Sequence, residues 1–135
     1  MVSDSKITMN RQGVADTAYH APKIYVYKDL LIGTAGCVGD GDKFVKWYRS
    51  KRRKPLVLEK DFEALIVTRE GLYHTDEDCA LIEVLDPWYA IGSGSAAALG
   101  ALHARVTLEE AVEIACIVDA NSGLPIQVAK LDAYK

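Results

Sequence analysis

Apolar and polar positions along the chain change spacing several times, and the changes mark out elements. Val2–Thr8 (VSDSKIT) admits a strand, and residues 9–22 read as a polar loop holding Gly13 and Pro22. Lys23–Lys28 (KIYVYK) alternates strictly and is rich in aromatic and β-branched residues, the composition of a half-buried strand. Asp29 sits in a tight turn, and Leu30–Gly36 (LLIGTAG) returns as a second strand. The spacing then lengthens. Phe44, Val45, Trp47 and Tyr48 share one face of a helix that Asp40 or Asp42 is expected to cap and that ends before Pro55. Phe62–Arg69 is a strong strand, Glu70-Gly71 a turn, and Leu72–Thr75 the returning arm of a hairpin. Ala80–Leu85 and Tyr89–Ile91 read as short strands around Pro87. A helix of small residues runs to about Ala104. Thr107-Leu-Glu-Glu110 is a capping box for the next helix, whose apolar face carries Leu108, Ala111, Val112, Ala115 and Val118. Residues 119–123 break that helix, and Leu124–Leu131 is a final strand.

The order is strands, helix, strands, two helices, strand. Regular β-α-β alternation is missing, which argues against a doubly wound parallel sheet. Strands in hairpin groups and helices in pairs point to layered α+β architecture in a single domain over residues 1–135. Half of the residues are hydrophobic, enough for a core, and the formal net charge is −3. That mild acidity gives no reason to expect nucleic acid or an anionic membrane. The basic run Lys51-Arg52-Arg53-Lys54 follows a helix, where cations favour the negative end of the macrodipole, so it reads as a solvated helix end. Cys37, Cys79 and Cys116 are scattered in apolar contexts and read as reduced core thiols of an intracellular, cytoplasmic protein. His20, His74 and His103 are equally dispersed, and no spacing suggests a metal site or a cofactor. No apolar run reaches the ~18–20 residues of a membrane span.

Three short stretches carry candidate chemistry. Gly92-Ser93-Gly94-Ser95 precedes a helix, but no lysine follows as a phosphate loop requires, and the spacing is wrong for a dinucleotide fingerprint. A strand-to-helix turn explains it, with glycine for backbone freedom and serine as a cap. Asp119-Ala-Asn-Ser122-Gly123 reads equally well as a helix C-terminus. Asp119 follows an apolar helix face, however, and a carboxylate there is costly without a partner. Asp4 lies in a strand-like stretch that disfavours it. Lys23 opens an apolar strand, so the two can form an ion pair, structural or functional.

Taken in order, these pieces resemble the proteasome β subunits and the HslV peptidase, which are N-terminal nucleophile (Ntn) hydrolases. The matching stretches are Val2–Asp4, Lys23-Ile24, Ala35-Gly36, Asp40 or Asp42, Gly92–Ser95 and Asp119–Gly123, spread over almost the whole chain. With its minimal loops, the chain is most similar to short bacterial and phage members. The resemblance implies a four-layer αββα sandwich of two antiparallel sheets with helices on both outer faces. It also implies a threonine-type peptidase that hydrolyses amides through an acyl-enzyme, acts on peptides or unfolded protein, and assembles into homo-oligomeric rings. Under it, Asp4 orients Lys23, and the Lys23 ammonium lowers the pKa of the nucleophile's hydroxyl. Ser93, Asp119 and Ser122 surround the nucleophile's amino group, and the Gly36 N–H stabilises the oxyanion.

The resemblance also implies a threonine at the mature N-terminus, on a strand that begins well before the position of Asp4. Only Met1, Val2 and Ser3 precede Asp4 here, too few to span that strand at ~3.3 Å per residue. Thr8 and Thr17 are internal and have no free amine. The sequence is therefore expected to lack the first strand and the nucleophile, either as a truncated enzyme or as a non-catalytic structural subunit of a proteasome-like assembly. A small unrelated α+β binding module is the third reading.

Overall fold

A computed structural model describes residues 1–4, 6–9, 17–20, 22–51 and 54–131. Gly13, Arg52 and Arg53, which the sequence places in a loop and a basic run, lie outside these residues. The main body is a five-stranded antiparallel sheet in the order β4-β5-β6-β7-β8, with β4 Ile24–Tyr27, β5 Leu30–Ala35, β6 Glu63–Thr68, β7 Leu72–Asp76 and β8 Ile82–Glu83. Its registers follow from the alternating patterns. Ile32 stands opposite Ile66, and Ile66 opposite Tyr73, so each apolar residue falls on one face with its neighbours.

That face packs on α1, Val38–Arg49. Ile32, Phe44, Val45, Phe62, Ala64 and Ile66 form its buried centre, with Tyr25, Trp47, Tyr48 and Tyr73 around them. Phe44 and Phe62 meet with ring centroids 5.2 Å apart. Burying one such side chain contributes about 1.5–3 kcal/mol, so this interface holds α1 on the sheet. The sequence expectation of an aspartate cap is corrected here: Cys37 is the N-cap and its side chain makes no capping bond. Asp40 instead lies inside the first turn, only 3% exposed, where Oδ2 accepts the Glu59 N–H at 2.8 Å and Oδ1 the Lys43 ammonium at 3.3 Å. It ties the 54–62 segment to the helix and complements the positive end of the helix dipole.

The opposite face of the sheet carries Leu31, Gly33, Ala35, Glu63, Leu65, Val67, Leu72 and His74, by strand alternation. Across from it lies a two-stranded antiparallel pair, β1 Val2–Ser3 with β9 Gln127–Val128. The outer cover of that pair is α3, Leu108–Val118, which packs on β1, with α2, Ser95–His103, packed against α3. The layer order is helix, sheet, sheet, helices, the four-layer sandwich expected from the resemblance. The Thr107 capping box forms as read: Thr107 Oγ1 accepts the Glu110 N–H at 3.1 Å, and the Glu110 carboxylate accepts the Thr107 N–H at 3.0 Å.

Several expectations change. The strand read as Val2–Thr8 breaks at Asp4 and resumes as β2, Lys6–Met9. The polar loop of residues 9–22 contains β3, Thr17–His20, which pairs antiparallel with β2. The polar character of that segment hid the hairpin, because a two-stranded ribbon needs little apolar patterning. Tyr89–Ile91 is not a strand, and the final strand is two residues rather than eight. On α3 only Ala111 and Ala115 of the expected face are fully buried, while Leu108 and Val118 are exposed. Cys37 is exposed and Cys116 half-buried, so neither is a core residue, whereas the half-buried Cys79 packs against the core beneath α1; all three are free thiols.

Candidate functional site

Lys23 lies just before β4, between Pro22 and Ile24, and both layers hold its backbone. Its carbonyl accepts the Thr34 N–H from β5 at 3.1 Å. Its N–H donates to Gln127 Oε1 on β9 at 2.7 Å, the same oxygen that receives the Ser3 hydroxyl at 3.2 Å. With the backbone fixed on two sides, the side chain extends to Asp4. Lys23 Nζ donates to Asp4 Oδ1 at 2.7 Å, with side-chain exposures of 24% and 15%. The other Asp4 oxygen accepts the Gly123 N–H at 3.0 Å. One carboxylate thus binds the ammonium and the loop after α3. A half-buried pair of this kind adds little net stability, but two charge-assisted hydrogen bonds fix its direction.

Asp119 is the C-cap of α3. Its Oδ2 accepts the hydroxyls of Ser93 and Ser122, both at 2.6 Å. Glycine is required on both sides of Ser93 for different reasons. Gly92 has φ +88°, and a Cβ on Gly94 would lie 2.8 Å from Ser122 Oγ and 3.2 Å from the Ala115 Cβ. Gly36 follows β5 directly with φ +101°, and a Cβ there would come within 2.9 Å of the Asp61 carbonyl oxygen. Any larger residue would push the β5 end away from β6.

These groups border one cavity of about 1190 Å³ between the two sheets, whose lining includes Asp4, Lys23, Gly36, Ser93 and Ser122. Leu65, Val67, Leu72 and Ala111 line its apolar interior. The expected residues are therefore gathered in two linked clusters, Lys23–Asp4 and Ser93–Asp119–Ser122, joined through the 119–123 turn. Asp119 also borders this mouth through its two serines, although the cavity wall itself is formed by Ser93 and Ser122. The clusters offer a fixed cation, a carboxylate surrounded by hydroxyls, and glycine backbone beside an apolar recess.

Cys116 stands near the same charges. Burial pushes its thiol up, the Asp4 carboxylate adds to that, and Lys23 partly opposes it. A thiol held neutral is a poor nucleophile. Among the described residues no group of three or more His, Cys, Asp or Glu side chains is arranged to hold a metal ion. Sequence reasoning missed three polar residues: Glu63 and His74, which line the cavity from the five-stranded sheet, and Gln127 on β9, which holds the Lys23 N–H. Glu63 Oε2 accepts the Gly92 N–H at 3.2 Å, and Oε1 lies 3.2 Å from His74 Nε2. The only signal for Glu63 was an acid at the head of an apolar strand, and nothing local says which way it faces.

No family model matches the sequence, and no curated protein matches it significantly. Solved structures do. BPH from Thiobacillus denitrificans, seen alone and in complex with epoxomicin, aligns with a TM-score of 0.69 at 20% identity over 93% of this chain and 88% of that one. The eukaryotic HslV of Trypanosoma brucei aligns with a TM-score of 0.73 at 18% identity over the same shares. Agreement of this extent at such low identity resides in the layers, and the chain has the HslV-like Ntn-hydrolase fold.

Proposed function

We propose that this chain is a proteasome/HslV-like threonine-type peptidase domain, of the class that cleaves peptide amides through an acyl-enzyme, whose nucleophile is not supplied by any of the 135 residues, and that it belongs to a cytoplasmic ring-type homo-oligomer that needs no cofactor. The observation that carries the reading is the Lys23–Asp4 pair, an ammonium held at 2.7 Å at the border of a cavity. A fixed positive charge favours the alkoxide over the hydroxyl and so activates a nucleophile beside it. Asp4 orients Lys23. Ser93, Asp119 and Ser122 receive the nucleophile's α-amine, which acts as the proton acceptor. The Gly36 N–H stabilises the oxyanion of the tetrahedral intermediate. The nucleophile is assigned to an N-terminal threonine on a strand laid in the cavity along β1. The apolar lining from Leu65, Val67 and Leu72 suits such a strand, and the polar rim suits its reactive end.

The test uses a form in which a processed N-terminal threonine precedes β1 on such a strand, assayed on a panel of fluorogenic peptides. Turnover is expected, together with covalent inactivation by epoxomicin, which the neighbouring Thiobacillus denitrificans protein binds. Lys23→Ala in that form should reduce the rate by several orders of magnitude, as losses within an interdependent catalytic set do. Turnover that survives Lys23→Ala, or none in the threonine-bearing form, would overturn the reading. The second outcome would favour a non-catalytic assembly subunit.

A further inference from the structure

A polar row interrupts the apolar inner face of the five-stranded sheet. Along β6 and β7 the cavity-facing residues are Glu63, Leu65 and Val67, and Leu72, His74 and Asp76. The aliphatic members fill the recess. The polar ones cluster at the end where the chain passes from Ala90 to Gly94. The Glu63 side chain keeps 37% of its surface exposed, and the covered part of a carboxylate still calls for hydrogen-bond partners. The two oxygens of Glu63 are engaged on opposite sides. Oε1 faces His74 Nε2 diagonally across the strand pair, and Oε2 takes the Gly92 N–H, each at 3.2 Å. His74 is itself steadied by the Tyr89 ring, with centroids 5.2 Å apart.

Gly92 is not an arbitrary anchor. Its carbonyl accepts the Ser95 N–H at 3.1 Å and so opens α2, and the next residue is Ser93, whose hydroxyl reaches Asp119. With φ +88° the backbone turns sharply there, and a displacement of Gly92 moves Ser93 directly. The chain of contacts is continuous. From β6 it passes through Glu63 to Gly92, from Ser93 to Asp119 on the far layer, and through the 119–123 turn to Asp4 and Lys23. Thr34 and Ala35 on β5 close it, because Thr34 bonds the Lys23 carbonyl and Ala35 stands opposite Glu63. Hydrogen bonds run along the cavity mouth, and among the described residues Glu63 joins the sheet to the serine turn.

We propose that Glu63, steadied by His74, is a positioning residue that holds the Gly92 N–H and thereby sets where Ser93 meets Asp119. The inference rests on the reading of Ser93 and Asp119 as parts of a hydrolase site, but its first test does not need activity. In the 135-residue chain, hydrogen exchange at the Gly92 amide is followed by NMR in the native protein, Glu63→Ala and Glu63→Gln. Loss of one hydrogen bond to a charged group should speed exchange at Gly92 at least about tenfold in Glu63→Ala. Amides in the middle of α3 should be unaffected. Glu63→Gln retains a carbonyl acceptor and should restore most of the protection. In the threonine-bearing form, Glu63→Ala should lower kcat at least about tenfold with KM within about twofold, because a misplaced group costs the reacting geometry more than binding. Should Glu63→Ala not fold, His74→Ala serves instead, with smaller shifts in the same direction. Unchanged exchange at Gly92 overturns the proposal, as does equal loss in the Ala and Gln variants. If the threonine-bearing form is inert while Gly92 exchange responds as expected, the peptidase reading fails and the positioning role stands.

Discussion

Tyr25 shows how much a single side chain can reveal about its layer. Its hydroxyl donates to Asp42 Oδ1 at 2.9 Å, beside the Thr34 hydroxyl that also crowds Gly41. Burial first, then the Asp42 hydrogen bond and charge, push the phenol up to about 12 from the ordinary tyrosine value of 10.0. The unfolded chain releases this proton near 10, while the folded chain holds it to about 12. The contribution is therefore complete below pH 10 and is lost as pH rises toward 12. Tyr25→Phe should flatten the fall in stability across that window in denaturant titrations at successive pH values. An unaltered slope would show that the phenol ionises freely in the folded protein. Legibility at this scale followed the cost of misplacement. Asp4, Lys23 and Asp119 stood out because charge in apolar surroundings demands a partner, and the Lys23–Asp4 pair at 2.7 Å meets that demand. Glu63 did not stand out, because an acid at a strand end costs nothing until a second layer covers it. The face it presents is decided by β7 and by the Gly92 turn, not by its neighbours in sequence.

Among elements, α3 is the most self-specified. Its capping box satisfies a free N–H at each end of the motif, a signal contained in four consecutive residues. Thr107→Ala should cost about 0.5–2 kcal/mol of stability, with Thr107→Asn within a few tenths, measured by chemical denaturation. Equal losses in the two variants would mean that the hydroxyl's methyl neighbour, rather than the cap, matters. The start of α1 is the opposite case. Two aspartates looked like caps, yet the helix begins at Val38, and the better-placed of them, Asp40, is taken by the Glu59 N–H from a distant segment. Local preference lost to a long-range hydrogen bond that no window of sequence contains. The β2–β3 hairpin escaped notice for a related reason. Its pairing is backbone to backbone, Lys6 opposite His20 and Met9 opposite Thr17, and needs no apolar alternation.

At the scale of the whole molecule, the apolar surface left in solvent is large for a chain of this length. Ile117 is 85% exposed, Val118 68% and Leu85 88%. α3 therefore shows aliphatic side chains on its outer side as well as its inner one, the pattern of a helix that is covered on both. Self-association is the expected solution behaviour, and light scattering across a concentration series should report a mass above that of the 14.8 kDa monomer. A constant monomer mass at high concentration would remove the support for a ring. Fold class was legible here because the order of strands and helices restricts the layer arrangements. The cavity was not, since an empty volume is a property of how layers are spaced, and residues such as Leu65 and Ala111 that line it come from opposite sides of the molecule.

The bond from Gly123 to Asp4 joins residues 119 positions apart, and Val2 pairs with Val128. The five-stranded sheet, by contrast, is complete by residue 83. A chain emerging from the ribosome can close that sheet and seat α1 while the last third is still unmade, since domains gain structure as they are synthesised. The Asp4 carboxylate acquires its second anchor only when the turn after α3 has left the exit tunnel. The direction in which Lys23 points is thus settled last, by residues that the ribosome adds after both the sheet and α1 are in place.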